Sequence, residues 1–151
     1  MEADNDTFTI LSRVVIALII GAIIGIEREV KHKPAGIRTH MLVAGASALF
    51  LLINQEVVNQ FLVDSSANAV SDPTRIIQAI VIGVSFIGAG TILKSDHQNT
   101  ILYLTTAASI LFTAAIGIVV GLGLYILAVS LAAIVAITLF AVGKFEKKFL
   151  D

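Results

Sequence analysis

Between Arg75 and Lys144 the chain carries only two charged residues, Lys94 and Asp96. A soluble fold of that length would leave its surface almost without charge, so the segment belongs in lipid. The whole 151-residue chain is 57% apolar against 14% charged, with a mean hydropathy of +0.95, which extends the same reading to its first half. A helix needs about 20 apolar residues to cross the hydrocarbon, and about 17 at the least. Stretches of this kind predict helices near Phe8–Ile26, Thr39–Gln55 and Ile76–Leu93. The run from Gln98 to Gly143 is too long for one span and long enough for two. Gly117-Ile-Val-Val-Gly121-Leu-Gly123 is the place for a turn, because glycine tolerates positive φ. Helix 4 is then expected near Ile101–Ile118 and helix 5 near Gly123–Val142. The expected fold is all-α: one membrane domain, a polytopic bundle of about five transmembrane helices. Four spans with a re-entrant segment are the structural alternative.

The first apolar run is not a signal sequence on this reading, because Glu2, Asp4 and Asp6 make its leader acidic and Glu27-Arg28-Glu29 follows it in place of a cleavage site. Arg13 is close enough to the start of helix 1 for its side chain to snorkel to the interface. Arg28, Lys31, Lys33 and Arg38 fall in the first loop, Lys94 in the third, and Lys144, Lys147 and Lys148 in the tail. Eight of the ten basic residues thus share one side, leaving Arg13 and Arg75 opposite. The positive-inside rule predicts an external N-terminus and a cytoplasmic C-terminus.

The chain has no cysteine, so disulfides, thiolate catalysis and Cys-ligated zinc are excluded. It has no glycine-rich phosphate loop, no His-Glu-x-x-His and no Ser/His/Asp arrangement in recognisable context. His32, His40 and His97 are expected in loops or at helix ends, too irregularly spaced to hold a metal. No catalytic residue, metal or cofactor is expected, and the chain reads as a non-enzyme. No basic stripe points to nucleic acid.

Three segments stand out against the apolar background. Gly25-Ile-Glu27-Arg28-Glu29 is followed by Lys33-Pro34-Ala35-Gly36-Ile37-Arg38-Thr39-His40, where Pro-Ala-Gly makes a compact turn between antiparallel helices. This segment is either a topology anchor in which Glu27 pairs with a neighbour, or a polar working surface of Glu27, Arg28, Glu29, Arg38 and Thr39 in which Glu27 pairs with Arg38. Asp72-Pro73-Thr74-Arg75 reads as a helix start, with Asp72 as N-cap and proline in the first turn. Arg75 lies on the side poor in basic residues and calls for an acidic partner. Gly88-Ala89-Gly90 at the end of helix 3 goes with Thr105-Thr106-Ala107-Ala108 in helix 4: the glycines permit close approach, and the threonine hydroxyls can bond across helices or back to their own carbonyls. Small residues also recur at every fourth position, at Gly21 and Gly25, Ala79 and Gly83, Thr113, Gly117 and Gly121, and Ala128, Ala132 and Ala136. Such spacing suits close helix packing within the chain, with a homo-oligomeric contact as the second reading. Ala46-Ser47-Ala48-Leu49-Phe50 is echoed by Ala108-Ser109-Ile110-Leu111-Phe112 at an offset of 62, which suggests a duplicated hairpin in parallel orientation.

In this order the segments resemble the MgtC/SapB family of bacterial inner-membrane proteins. The matching residues are Gly25 to Glu29, Lys33 to Thr39, Asp72 to Arg75, Phe86-Ile87-Gly88-Ala89-Gly90, Leu104 to Ala108 and Ala114 to Gly117. Ser85, Tyr103 and Leu111 depart from the pattern, as does the glycine-poor loop Lys94 to Thr100, and Gln78 lies one place from the expected glutamine. The chain stops soon after helix 5, where longer members continue into a cytoplasmic domain. The resemblance implies a multi-pass protein of the bacterial inner membrane, associated with magnesium homeostasis. It implies a regulator of, or accessory to, other membrane machinery, with the lipid bilayer and another membrane protein as partners. The alternative is a small transporter or channel for Mg²⁺ or another cation. Mg²⁺ sites favour one or two carboxylates, and no Asp or Glu falls inside the five expected spans, which weighs against that alternative.

Overall fold

The computed structural model describes residues 2–64, 74–95 and 100–149. Five helices follow one another: α1 (Glu2–Val30), α2 (Ile37–Asp64), α3 (Thr74–Thr91), α4 (Leu104–Gly121) and α5 (Tyr125–Phe149). Strands β1 (Leu93–Ser95) and β2 (Thr100–Leu102) lie between α3 and α4. Thr7–Val30, Ile37–Asn59, Thr74–Thr91 and Leu104–Gly121 are long and apolar enough to cross a membrane; the apolar part of α5, Tyr125–Ala141, is shorter.

The helices run past the apolar stretches that announce them. α1 continues from the expected Ile26 to Val30, carrying Glu27 and Glu29, and α2 continues from Gln55 to Asp64. An end to apolar residues is no helix stop; a stop needs a residue that turns the backbone. At the end of α1 that residue is His32, at φ 51°. Its N–H donates to the Glu29 carbonyl at 3.1 Å, and the Lys33 N–H donates to Arg28 at 2.9 Å, the paired bonds of a Schellman cap. α4 closes the same way on Gly123 at φ 80°, with Gly123 N–H to Val120 at 2.9 Å and Leu124 N–H to Val119 at 3.1 Å. The turn therefore occupies the end of the expected glycine run, and Gly117 and Gly121 lie within α4.

The third connection differs in kind from an irregular loop. Leu93, Lys94 and Ser95 pair antiparallel with Leu102, Ile101 and Thr100, and Tyr103, at φ 67°, redirects the chain into α4 at Leu104 instead of Ile101. Extended pairing suits Thr100 and Ile101, which are β-branched. Asp96 and His97 lie outside the described residues.

α4 is the centre of the bundle: 56% of its span is buried, against 17% for α3, and it touches each of the other helices. Ala17, Ile20 and Ile24 of α1, Ala44 and Ala48 of α2, Ile116 and Val120 of α4, and Ala128, Ala132 and Val135 of α5 form the main core. Leu51, Ile80 and Ile118 make a second cluster that seats α3. Small residues set the helix separations, since a Cβ on Gly21 would come within 2.5 Å of the His40 carbonyl oxygen and one on Gly25 within 2.5 Å of the Ile37 Cα. A Cβ on Gly117 would overlap the Ala44 carbonyl. Phe86 and Ile126, 81% and 87% exposed, point away from the core as lipid-facing residues do.

Candidate functional site

The polar residues of the interior gather where α1, α2 and α4 meet, at the end that carries the α1–α2 turn. Glu27 and Arg28 are buried, 1% and 5% exposed, and His40 is completely buried. A charge in such a place is costly unless paired. Glu27 accepts from Lys31, Nζ to Oε1 at 2.6 Å, one helical turn on. The Lys31 ammonium also donates to the Leu139 carbonyl of α5 at 3.1 Å and lies 5.4 Å from the Phe140 ring centroid, which ties α5 to α1. Arg28 reaches across to α4, donating from Nη2 to Thr106 Oγ1 at 2.5 Å.

His40 joins α2 to α4. Its Nδ1 lies 3.0 Å from the Gly36 carbonyl and its Nε2 3.2 Å from Ser109 Oγ. A carbonyl only accepts, so Nδ1 carries a proton. Ser109 Oγ is also 2.8 Å from the Thr106 carbonyl. Its single proton serves that carbonyl or a bare Nε2, but not both; the second arrangement leaves the carbonyl to its helix bond. Thr113 continues the ladder, donating to the Ser109 carbonyl at 2.8 Å. Among the described residues, Glu27 Oε2, Arg28 Nε and Arg13 Nε are buried polar atoms without a partner.

The structure separates the expected site residues. Glu27, Arg28 and Thr106 come together in the interior; Glu29, Arg38 and Thr105 are exposed, and Thr39 is half-buried. The expected Glu27–Arg38 pair does not form: Glu27 faces inward to Lys31, and Arg38 stands on the outer face of α2. Glu29 caps α2, its Oε2 accepting the Ile37 N–H at 3.1 Å, in close contact with Gly36. The expected absence of carboxylates from the spans also fails, because α1 carries Glu27 on its buried face. Arg75 is exposed on α3, and Asp72 lies outside the described residues. Gly21, Gly25, Gly117 and Gly121 face neighbouring helices, and a Cβ on Gly88 would meet Ala107 at 3.6 Å, an ordinary van der Waals contact. At Gly90, expected at a helix contact, a Cβ would meet no neighbouring element within 4 Å among the described residues.

His40, Ser109, Lys31 and Arg13 join the site although none is among the expected site residues. His40 is no loop residue; it shares a buried face with Ala44, Ser47 and Leu51, and that spacing was the available signal. Lys31 follows Glu27 at i+4 in the favoured order. Arg13 is tied to α4: its Nη1 donates to the Gly121 carbonyl at 2.8 Å and closes the last turn of that helix.

The chain matches the MgtC family over residues 14–148. It is 44% identical to YhiD of Escherichia coli, whose description associates that protein with magnesium transport, over 79% of this chain and 54% of the relative. It is 37% identical to protein SapB of Bacillus subtilis, over 77% of this chain and 49% of the relative. To protein MgtC of Brucella abortus it is 36% identical, over 84% and 47%. The chain spans about half the length of these curated relatives. No solved structure matches it at a significant level. A match running from α1 into α5, with relatives that share more than a third of the aligned residues, establishes that this membrane protein belongs to the MgtC family.

Proposed function

We propose that the chain is a non-enzymatic protein of the bacterial inner membrane that regulates, or is accessory to, other membrane machinery under magnesium limitation or stress. The observation that carries this reading is the charge state around Glu27. The carboxylate is held by Lys31 at 2.6 Å, next to Arg28, so the site is cationic overall and repels a divalent ion. The charged groups act as braces between helices, and the core between them is alkyl. What supports a partner contact at α3 is that it is the span least covered by its own chain, and a Cβ on Gly83 or Gly90 would meet no neighbouring element within 4 Å among the described residues, so a foreign helix can approach closely.

Cation transport is the second reading. The Thr106, Ser109 and Thr113 ladder, which carries hydroxyls to the middle of α4, favours it, as does the description attached to YhiD. Reconstitution into liposomes holding an Mg²⁺-sensitive dye separates the two. The expected result is no protein-dependent influx, while the same protein alters low-magnesium growth of a bacterial strain that lacks its own family member. Protein-dependent influx that Glu27→Gln abolishes would overturn the regulatory reading.

A further inference from the structure

Beside the α1–α2 turn and the foot of α4 is a cavity of about 600 Å³ lined by Glu29, Lys31, His32, Lys33, Pro34 and Tyr103. We propose that it is a binding site for a phosphate group, presented by an anionic phospholipid or by a soluble phosphate ester.

Two independent observations converge on it. The first is the backbone. Among the described residues, the non-glycine positions with positive φ are His32, Ala35 and Tyr103, at 51°, 57° and 67°. Two of them line the cavity and the third follows Pro34. The left-handed residues that cap α1 and open α4 thus set the rim of the cavity, where the chain reverses twice. The second is the disposition of charge. Both nearby carboxylates are engaged, Glu27 by Lys31 at 2.6 Å and Glu29 by the Ile37 N–H at 3.1 Å. Because its ammonium is turned to Glu27, Lys31 lends the cavity its stem. The Lys33 ammonium, the His32 imidazole and the Tyr103 hydroxyl have no partner among the described residues. They are three donors without a partner, beside one carboxylate, Glu29, whose Oε2 is already held by the Ile37 N–H, and a phosphate offers acceptors to all three. The volume is in the range of small-molecule sites, about 300–1,000 Å³. Val30 and Leu104, 68% and 55% exposed, adjoin the lining residues Lys31 and Tyr103 in the chain, so exposed apolar residues flank the cavity and suit the acyl part of a lipid.

The test is native mass spectrometry of the delipidated full chain titrated with phosphatidylglycerol, with diacylglycerol as the phosphate-free control and inorganic phosphate as competitor. His32→Gly removes the imidazole yet suits the positive φ, Lys33→Gln removes the charge, and Tyr103→Phe removes the hydroxyl; unchanged elution and melting verify the fold. Phosphatidylglycerol is expected to bind in preference to diacylglycerol, and Lys33→Gln to weaken it about fivefold. If millimolar inorganic phosphate displaces the lipid, the site serves soluble phosphates as well; if it does not, the lipid headgroup is the ligand. Wild-type binding by the triple variant, or no preference over diacylglycerol together with no phosphate binding, would overturn the proposal.

Discussion

Thr105 and Thr106 are neighbours with opposite surroundings. Thr105 is exposed, whereas Thr106 is 1% exposed and accepts from the Arg28 guanidinium. A hydrogen bond to a charged group contributes about 1.5–3 kcal/mol, and more is lost when the charge stays behind in the interior. Thr106→Val keeps the shape and removes the acceptor, so it should destabilise the protein by about 2 kcal/mol in denaturant titrations in detergent, while Thr105→Val changes stability by less than about 0.5 kcal/mol. Equal effects would mean that Arg28 is satisfied elsewhere. Glu27 poses the parallel case. Lys31→Met leaves a buried carboxylate uncompensated and should cost roughly 3 kcal/mol, whereas Arg38→Met, on the outer face, should be near neutral. The reverse ranking would restore the Glu27–Arg38 pairing that residue types alone suggest. Both arginines are within reach in sequence; which of the charges turns inward is decided by the phase of α1 and α2, and that phase is fixed by contacts between helices.

Glycine spacing marks helices that approach closely without saying which glycine does so. In α4 a Cβ on Gly117 would overlap the Ala44 carbonyl of α2, but in α3 Gly90 has open space around it among the described residues. Gly117→Ala should therefore force the two helices apart and cost about 1–3 kcal/mol, as overpacking does. Gly90→Ala should instead gain up to about 1 kcal/mol from helix propensity, provided no other protein covers α3. Measured together in detergent, equal losses at both positions would refute the proposed packing. At this scale much was legible in the sequence: five helices, their order, and the turn on Gly123 follow from apolar stretches and glycine chemistry. What was not legible has local physical reasons. α1 runs on to Val30 because its cap is His32, where glycine is the usual signal. The hairpin of Leu93–Ser95 and Thr100–Leu102 lacks the Asn-Gly or Asp-Gly turn that announces such a pair, and its strands are three residues each. His40 does lie at a helix end, in the first turn of α2, but its burial depends on the face it shares with Ala44 and Ser47.

Bonds at both ends of α1 define the arrangement of the whole bundle. Arg13 reaches the end of α4 at Gly121, beside the turn into α5, and Lys31 reaches Leu139 near the other end of α5. At a rise of 1.5 Å per residue, the stretch from residue 13 to 30 of α1 is about 26 Å long and that from 125 to 139 of α5 about 21 Å. α5 thus travels the length of the bundle alongside α1 although its apolar part is short. α2 and α4 run in the same direction, and the echoed serines are both buried, with Ser47 donating to Val43 and Ser109 to Thr106, each at 2.8 Å. This is the relation expected of duplicated hairpins. Sidedness follows from the same bonds: the α1–α2 turn, the β-hairpin and the end of α5 share one face, and the end of α2 belongs to the other. The chain has no cysteine, so single cysteines report without background. With basic residues concentrated at the first face, cysteines at His32, Lys94 and Phe149 should all resist a membrane-impermeant thiol reagent in intact cells, and one at Ser65 should react. Labelling at His32 and Lys94 with protection at Ser65 would invert the orientation and keep the fold. Labelling at Phe149 alone would leave α5 on the opposite side from α1's end, which the Lys31 to Leu139 bond forbids, and would sink the five-helix arrangement.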